Sequence, residues 1–228
     1  MSTALTREQA DLRQTVADLL AKRSPQAEVR RLMASDDGYD PSVWSELAAL
    51  GLLGLVIPEE FGGSGAGAAE LAVVSEQMGR ALLCAPFLSA AVLTPYLLLA
   101  LDDTAECAEV LPQIAAGELT TAVAFAESGS ARPPRHPATT AVRTTNGWSL
   151  TGEKIYVLDG VGADRYYVHA ESDSGVGIFA VDPGAAGLEV TALNTIDQTR
   201  RQARLTLADT PARLIGTAGA GAIALDTA

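Results

Sequence analysis

The sequence has few of the residues that build metal sites or disulfide frameworks. Among its 228 residues are two cysteines, Cys84 and Cys107, and two histidines. Both cysteines lie in Ala- and Leu-rich sequence typical of helices, so we interpret them as buried thiols of a cytoplasmic protein. The sequence contains no CxxC, HExxH or Cys/His cluster. We therefore predict no metal site.

Long apolar runs and basic residues are also scarce. The longest apolar run, FLSAAVLTPYLLLAL, has 15 residues and contains Pro95, whereas a membrane-spanning helix needs about 20. The N-terminal MSTALTREQADLRQ carries charges where a signal peptide needs an apolar core. With 16 basic against 28 acidic residues, the net charge is −12. These features predict a globular, cytoplasmic protein without membrane insertion or a nucleic-acid partner.

The first half of the chain has helical periodicity. Leu12, Val16 and Leu20 fall on one helical face, and Thr6 with Gln9 forms a predicted capping box at the start of that helix. Ser24-Pro25 and Asp40-Pro41 carry the start signals of two further helices. We predict later helices at about 66–82, 87–101 and 105–116.

After residue 119 the period of the apolar residues changes to two. The stretch TTAVAFA predicts a strand, and Asn146-Gly147 between two alternating stretches predicts a β-hairpin. Helices followed by strands, rather than alternating with them, predict an α+β fold. We expect an all-α domain at 1–118 and an antiparallel β-sandwich or barrel at 119–213. Residues 214–228 are predicted to begin a truncated C-terminal helical domain.

The glycine-rich stretch GGSGAGAAEL raises the alternative of a dinucleotide-binding fold. Gly63, Gly65 and Ala68 fit the G-x-G-x-x-A fingerprint. That fold needs a strand directly before the glycines and an acidic residue about 20 positions later. PEEF precedes the glycines here, and LLCAPFL occupies the later position. We therefore predict a turn between two helices that contacts no phosphate.

Two longer stretches resemble a known family. YDPSVWSELAALGLLGLVIPEEFGGSG, followed by SEQMGRAL, resembles the N-terminal helical domain of acyl-CoA dehydrogenases. AFAESGS stands where that family has A-x-T-E-P-x-x-G-S-D, and LTGEKIYVLDG stands where it has G-x-K-x-W-I-T-N. The resemblance covers essentially the whole chain, but only the first two of the family's three domains.

The resemblance implies an FAD-dependent enzyme that oxidises an acyl-CoA thioester to the trans-2-enoyl-CoA. A carboxylate removes the α-proton while the flavin takes a hydride from the β-carbon. The resemblance also implies an electron-transfer flavoprotein as acceptor, and a homo- or hetero-oligomer with another subunit of this type. The implied cofactor-binding residues are Val123, Phe125, Ala126, Gly129, Ser130, Tyr156, Val157 and Leu158. Leu88, Ala91 and Val92 are the implied acyl contacts.

Several positions depart from the family pattern. Ala126 and Leu158 replace hydroxyl residues, and Tyr156 replaces a tryptophan, so flavin binding is expected to be weakened, rearranged or lost. The family's catalytic glutamate belongs to the third domain, so we name no catalytic residue and expect the chain alone to be inactive. We interpret Glu127, Glu153 and Glu171 as solvated surface groups.

These departures leave a second function open. In this alternative the chain is a non-catalytic structural subunit that assembles with a competent dehydrogenase, as in some bacterial steroid side-chain enzymes. The loop ARPPRHP is either a flexible surface loop or a contact to a CoA phosphate or a neighbouring subunit. The sequence leaves open whether the acyl group is linear, branched or a ring system.

Overall fold

The computed structural model describes residues 5–227, and its first half is helical. Besides the α-helices it contains a 3-10 turn at Glu59–Phe61 and a π-helical turn at Ser89–Leu93. No helix among the described residues is long and apolar enough to cross a membrane. The α-helices of this half are α1 (Arg7–Arg23), α2 (Gln26–Met33), α3 (Pro41–Ala49), α4 (Ala68–Arg80), α5 (Thr94–Leu101) and α6 (Thr104–Ala115).

The helix ends follow the local signals in the sequence. Gln9 N–H donates to Thr6 Oγ1, and Thr6 N–H donates to Gln9 Oε1, which confirms the predicted capping box. Asp40 Oδ1 accepts from Ser42 N–H and caps α3, whose first residue is Pro41. These short-range hydrogen bonds satisfy backbone donors that have no partner inside the helix.

The predicted helix over residues 87–101 is interrupted. Thr94 N–H donates to Ser89 C=O, five residues back, so the turn before α5 is π-helical. Pro95 has no N–H for the Ala91 carbonyl, and in a regular helix its ring would clash with that carbonyl. The wider turn relieves this clash. It also shifts which side chains of this segment face the second half of the chain.

The second half of the chain is a sheet that closes into a barrel. The pairings run β4–β5–β7–β3–β2 and return from β2 to β4 through Thr140 and Glu171. The predicted hairpin is confirmed, because Thr144 pairs with Gly147. The strands are β1 (Thr121–Ala124), β2 (Thr140–Thr144), β3 (Gly147–Leu158), β4 (Arg165–Ser172), β5 (Gly175–Val181), β6 (Leu188–Ala192) and β7 (Gln202–Ile215), and a last helix, α7, spans Gly221–Thr227.

The α+β class is confirmed, with one difference in the sheet. We expected only antiparallel neighbours, but β1 pairs in parallel with β4, and Val123 lies opposite Tyr167. Parallel neighbours need a long connection, and here the hairpin of β2 and β3 supplies it. The parallel pair places the end of β1 beside β3, since Ile155 N–H donates to Ala126 C=O over 3.0 Å.

Buried side chains form three large groups and a small fourth one, in which Val29 and Leu32 of α2 pack with Cys84. One large group lies among the first helices and contains Trp44 and Leu47, and a second fills the barrel around Leu150 and Phe179. A third lies between α5, α6 and α7 and the outer face of the sheet, where Val123 is buried with its neighbours. Helices and barrel therefore share one apolar interface. Cys84 and Cys107 are buried free thiols, as predicted.

The glycine-rich stretch is the predicted turn between helices. It runs from the 3-10 turn to α4, and Gly62 has a left-handed φ of 82°. A Cβ on Gly63 would lie 2.0 Å from the carbonyl oxygen of Ile57. The glycines therefore permit a close backbone approach within the helical domain.

Candidate functional site

An apolar cavity lies between the helices and the end of β1. Its volume is about 140 Å³. Val123 and Phe125 line one side, so two of the predicted cofactor residues share one wall. The rest of the lining is Leu93, Leu97, Pro133 and Leu225. The cavity is bounded by α5 and its π-helical turn, the end of β1, the following loop and α7.

The two segments predicted to bind the cofactor lie side by side. The hydrogen bond between Ile155 and Ala126 joins the residue before Tyr156 to the segment after β1. Ala126 and Val157 are buried and Leu158 is half-buried. The structure thus brings 123–126 and 156–158 together. The side chain of Val157, however, packs in the barrel core and does not lie on an open face.

Tyr156 presents its ring to solvent. It has a left-handed φ of 57°, and the register of β3 against β7 shifts between Lys154 and Val157. This irregularity turns the ring outward, and the residue is 46% exposed. An exposed aromatic side chain beside a buried strand is available for stacking against a planar ring.

Gly129 and Ser130 lie in the turn that follows Glu127. Ser130 N–H donates to the Glu127 carbonyl over 3.2 Å, and Gly129 has a φ of 94°. A Cβ at Gly129 would meet no atom within 4 Å, so the space above this turn is open. Both residues are exposed and begin the long loop that precedes β2.

The predicted acyl contacts do not line the cavity. Ala91 and Val92 are buried among the helices, and Leu88 is 39% exposed. Leu93 and Leu97 of the same segment line the cavity instead. The π-helical turn adds a residue to this segment, and the sequence pattern does not show that addition. The acyl roles of the three predicted residues stay a prediction.

A chain of polar groups joins the π-helical turn to the barrel. Ser89 Oγ lies 2.7 Å from Asp159 Oδ2, and Thr94 Oγ1 donates to Ser89 C=O over 3.0 Å. Thr121 Oγ1 in turn donates to Thr94 Oγ1 over 2.8 Å. Burial raises the pKa of Asp159 to about 6, although the bond from Ser89 opposes this shift. Sequence reasoning did not find this contact.

Glu127 is not the solvated group that we expected. Its side chain is 14% exposed and pairs with Lys154, which is fully buried, over 2.7 Å. Burial by itself raises the pKa of Glu127, but the bonds from Lys154, Thr139 and Ala138 outweigh burial and lower it to about 2. Glu153, by contrast, is exposed as predicted. A lysine on the inward face of β3, in step with Trp148 and Leu150, was the available signal.

A second buried carboxylate joins the helices to the sheet. Glu106 of α6 accepts from Tyr167 over 2.7 Å and from Arg213 over 2.6 Å. Arg165 also donates to it over 3.3 Å. Burial, followed by the Glu106 charge, raises the pKa of Tyr167 well above its usual range. Because all of the partners lie on β4 and β7, this group holds α6 against the sheet.

Comparisons with known proteins agree with this architecture. The family model of the acyl-CoA dehydrogenase N-terminal domain matches residues 6–118. Acyl-CoA dehydrogenase IpdE2 of Mycobacterium tuberculosis is 45% identical over 103 residues, which are 45% of this chain and 32% of that protein. The chain therefore spans about a third of that relative's length.

Two solved structures match nearly all of the chain. The Tcur3481-Tcur3483 steroid ACAD, as its G363A variant, has a TM-score of 0.84 at 32% identity over 96% of this chain and 60% of its own. The ChsE4-ChsE5 complex from Mycobacterium tuberculosis has a TM-score of 0.85 at 27% identity over 98% of this chain and 61% of its own.

The fold defines the class of the protein. A helical domain packed on a β-barrel is the arrangement that this chain shares with those structures. The chain belongs to the acyl-CoA dehydrogenase family.

Proposed function

We propose that this chain is part of an FAD-dependent acyl-CoA dehydrogenase and carries the flavin beside Phe125 and Tyr156. The observation that carries the proposal is the wall formed by Val123 and Phe125, in a segment whose end is bonded to the residue before the exposed Tyr156. The apolar cavity behind Phe125 suits the acyl part of an acyl-CoA. When bound, FAD would accept the hydride from the β-carbon of the thioester.

The residues around the cavity fit a flavin only in part. An aromatic ring, apolar side chains and the open turn at Gly129 suit the faces of a planar ring system. The side chains at Ala126 and Leu158 offer no hydroxyl, although the family motif has hydroxyl residues there. The chain thus supplies packing and orientation, with fewer side-chain donors than the family pattern provides.

The base that removes the α-proton is proposed to come from outside residues 5–227. None of the six residues that line the cavity carries a carboxylate. Glu127, the carboxylate in the flavin segment, is already held by an ion pair and three further hydrogen bonds. A partner subunit, or a part of the protein beyond this sequence, would then hold the base.

The alternative is a non-catalytic subunit that assembles with a competent dehydrogenase. The missing hydroxyls at Ala126 and Leu158 favour it, and one similar structure is named as a complex of two proteins, ChsE4 and ChsE5. With either function we propose a cytoplasmic oligomer that acts on an acyl-CoA. An electron-transfer flavoprotein is the proposed electron acceptor. The domain limits 1–118, 119–213 and 214–228 also remain part of this proposal.

Flavin content separates the two functions. The chain is purified through a tag from its native host, so that any partner subunit accompanies it, and visible flavin absorbance is measured per chain. Tyr156→Ala and Phe125→Ala should lower the flavin content. Ile196→Ala, at a fully exposed position in the loop before β7, is the control and should not change it. Equal flavin content in all variants would favour the structural subunit.

A further inference from the structure

The carboxylate of Glu127 accepts four hydrogen bonds. Oε1 accepts from Lys154 Nζ over 2.7 Å, from Thr139 N–H over 2.9 Å and from Thr139 Oγ1 over 2.8 Å. Oε2 accepts from Ala138 N–H over 2.7 Å. An ionised carboxylate has about four acceptor sites. Three of the four bonds are thus to Oε1 and one is to Oε2, and all four come from groups of the same chain.

These bonds close the base of a long exposed loop. Glu127 precedes the loop at 128–137, and Ala138 and Thr139 follow it. Within the loop, Pro137 is buried and Pro134 is half-buried, while the remaining residues are exposed. The loop itself contributes few bonds, such as the one from Arg132 N–H to Ser130 Oγ over 3.1 Å. The Glu127 side chain thus links the two ends of the loop. Within the loop, His136 Nδ1 also lies 3.2 Å from Glu171 Oε2 of β4.

Lys154 connects the same carboxylate to β3. It lies two residues before Tyr156, and its neighbour Ile155 bonds to Ala126. A largely buried ion pair gives little net stability, because desolvation offsets much of its attraction. Four directed bonds to one group do, however, fix relative positions.

We propose that Glu127 is a positioning residue, which ties both ends of the 128–137 loop to β3 and thereby sets the positions of Phe125, Gly129 and Tyr156 relative to one another. This link, which we call the tether, consists of the bonds from Glu127 to Ala138, Thr139 and Lys154, and it is independent of any cofactor. Its effect on flavin binding rests on the proposed function.

The four bonds to Glu127 require a carboxylate and not an amide. Glutamine has a single acceptor oxygen, and its amide nitrogen is a donor. In place of Glu127 it would turn a donor toward Ala138 N–H or Lys154, both of which also donate. A carboxylate is thus required. The same bonds lower the pKa of Glu127 to about 2, so it is a weak proton acceptor near pH 7.

The test compares two charge-removing double variants. Glu127→Gln with Lys154→Met removes the buried pair together, since removing one partner leaves an unpaired buried charge. Glu153→Gln with Arg204→Met is the matched control, because that pair lies next along β3 but is exposed, with 3.5 Å between Arg204 Nε and Glu153 Oε2. Denaturant unfolding of both variants establishes that each is folded.

Two readouts report on the loop without any flavin. Amide exchange at Ala138 and Thr139 should speed up about tenfold or more in the first variant, as expected when bonds to a charged acceptor are lost. Trypsin should cut faster after Arg135, while Arg132 is protected because Pro133 follows it. The control should change neither rate. Unchanged exchange and cleavage in the folded first variant would overturn the proposal.

If the first variant does not fold, a milder variant tests whether Glu127 holds the loop. Thr139→Val removes the hydroxyl, which donates to Glu127 Oε1 over 2.8 Å and lies 3.4 Å from Glu153 C=O, and it keeps the ion pair. Faster cleavage at Arg135 is therefore expected, and an unchanged rate would count against the link between Glu127 and the loop. FAD affinity is measured separately. If FAD binds more weakly to a variant whose loop is loosened, Glu127 also positions the residues proposed to contact the flavin. A loosened loop with no flavin binding in any variant keeps the tether and rejects the proposed function.

Discussion

Ser89 Oγ and Asp159 Oδ2 lie 2.7 Å apart, and this bond joins the π-helical turn beside the cavity to the end of β3. Asp159 stands at the asparagine of the family motif, and its N–H donates to Arg201 C=O over 2.8 Å. A carboxylate at this junction makes the stability of the contact depend on pH. An asparagine would not.

Asp159→Asn should therefore remove a pH dependence of stability. Burial raises the folded pKa of Asp159 to about 6 from 3.8, so the folded state binds the proton more tightly than the unfolded state. The stability from this group is present below the unfolded pKa and is lost as pH rises through the folded value. The difference in melting temperature, variant minus wild type, should rise between pH 4 and pH 7. A flat difference would contradict this prediction.

His169→Leu should stabilise the chain. The imidazole is fully buried, and neither ring nitrogen has a hydrogen-bond partner in the part of the chain that the structure describes. Burial, assisted by the Lys154 charge, lowers the pKa of His169 to about 4, so the ring is neutral near pH 7. Replacing an unpaired buried polar group with an apolar one should raise the free energy of unfolding by about 1 kcal/mol. Urea unfolding measures this, and a loss of similar size would show that the ring is bonded in solution.

Gly63→Ala should destabilise the helical domain by about 2 kcal/mol or more, because the new Cβ would meet the Ile57 carbonyl oxygen. Gly67→Ala is the matched control in the same stretch, since its Cβ would approach only the end of the Glu70 side chain, at 3.4 Å. Thermal unfolding compares the two. Similar losses in both variants would argue against the close approach at Gly63.

Glu106→Gln should lower the free energy of unfolding by about 3 kcal/mol, because it leaves buried Tyr167 and two arginines without their shared carboxylate. Glu109→Gln removes the partner that Arg165 meets at the surface, over 3.1 Å, and should cost less than about 1 kcal/mol. Denaturant titration gives both values. A small loss at Glu106 would show that α6 is held mainly by apolar packing.

Local features of the fold could be predicted from the sequence. The capping box at Thr6, the proline start at Pro41 and the hairpin at Asn146-Gly147 each depend on residues a few positions apart. The parallel pairing of β1 with β4 could not be predicted, because it joins segments more than 40 residues apart. The predicted helix at about 87–101 did not include the π-helical turn, although Pro95 lies within that stretch.

The site was predictable only in part for the same reason. The family motifs located the segments around Phe125 and Tyr156, which the structure brings together. The partners of Glu127 come from two other segments, 138–139 and β3, so these contacts could not be derived from the residues next to Glu127. Charge alone indicated a surface group there, whereas the inward position of Lys154 on β3 indicated a buried partner.

The most direct test of the flavin site is amide exchange of the purified protein with and without FAD. The account predicts slower exchange at 123–130 and 155–158 when FAD is present, with no change at 194–198 in the loop before β7. Protection that is absent from both segments, or confined to other parts of the chain, would contradict a flavin site beside Phe125 and Tyr156.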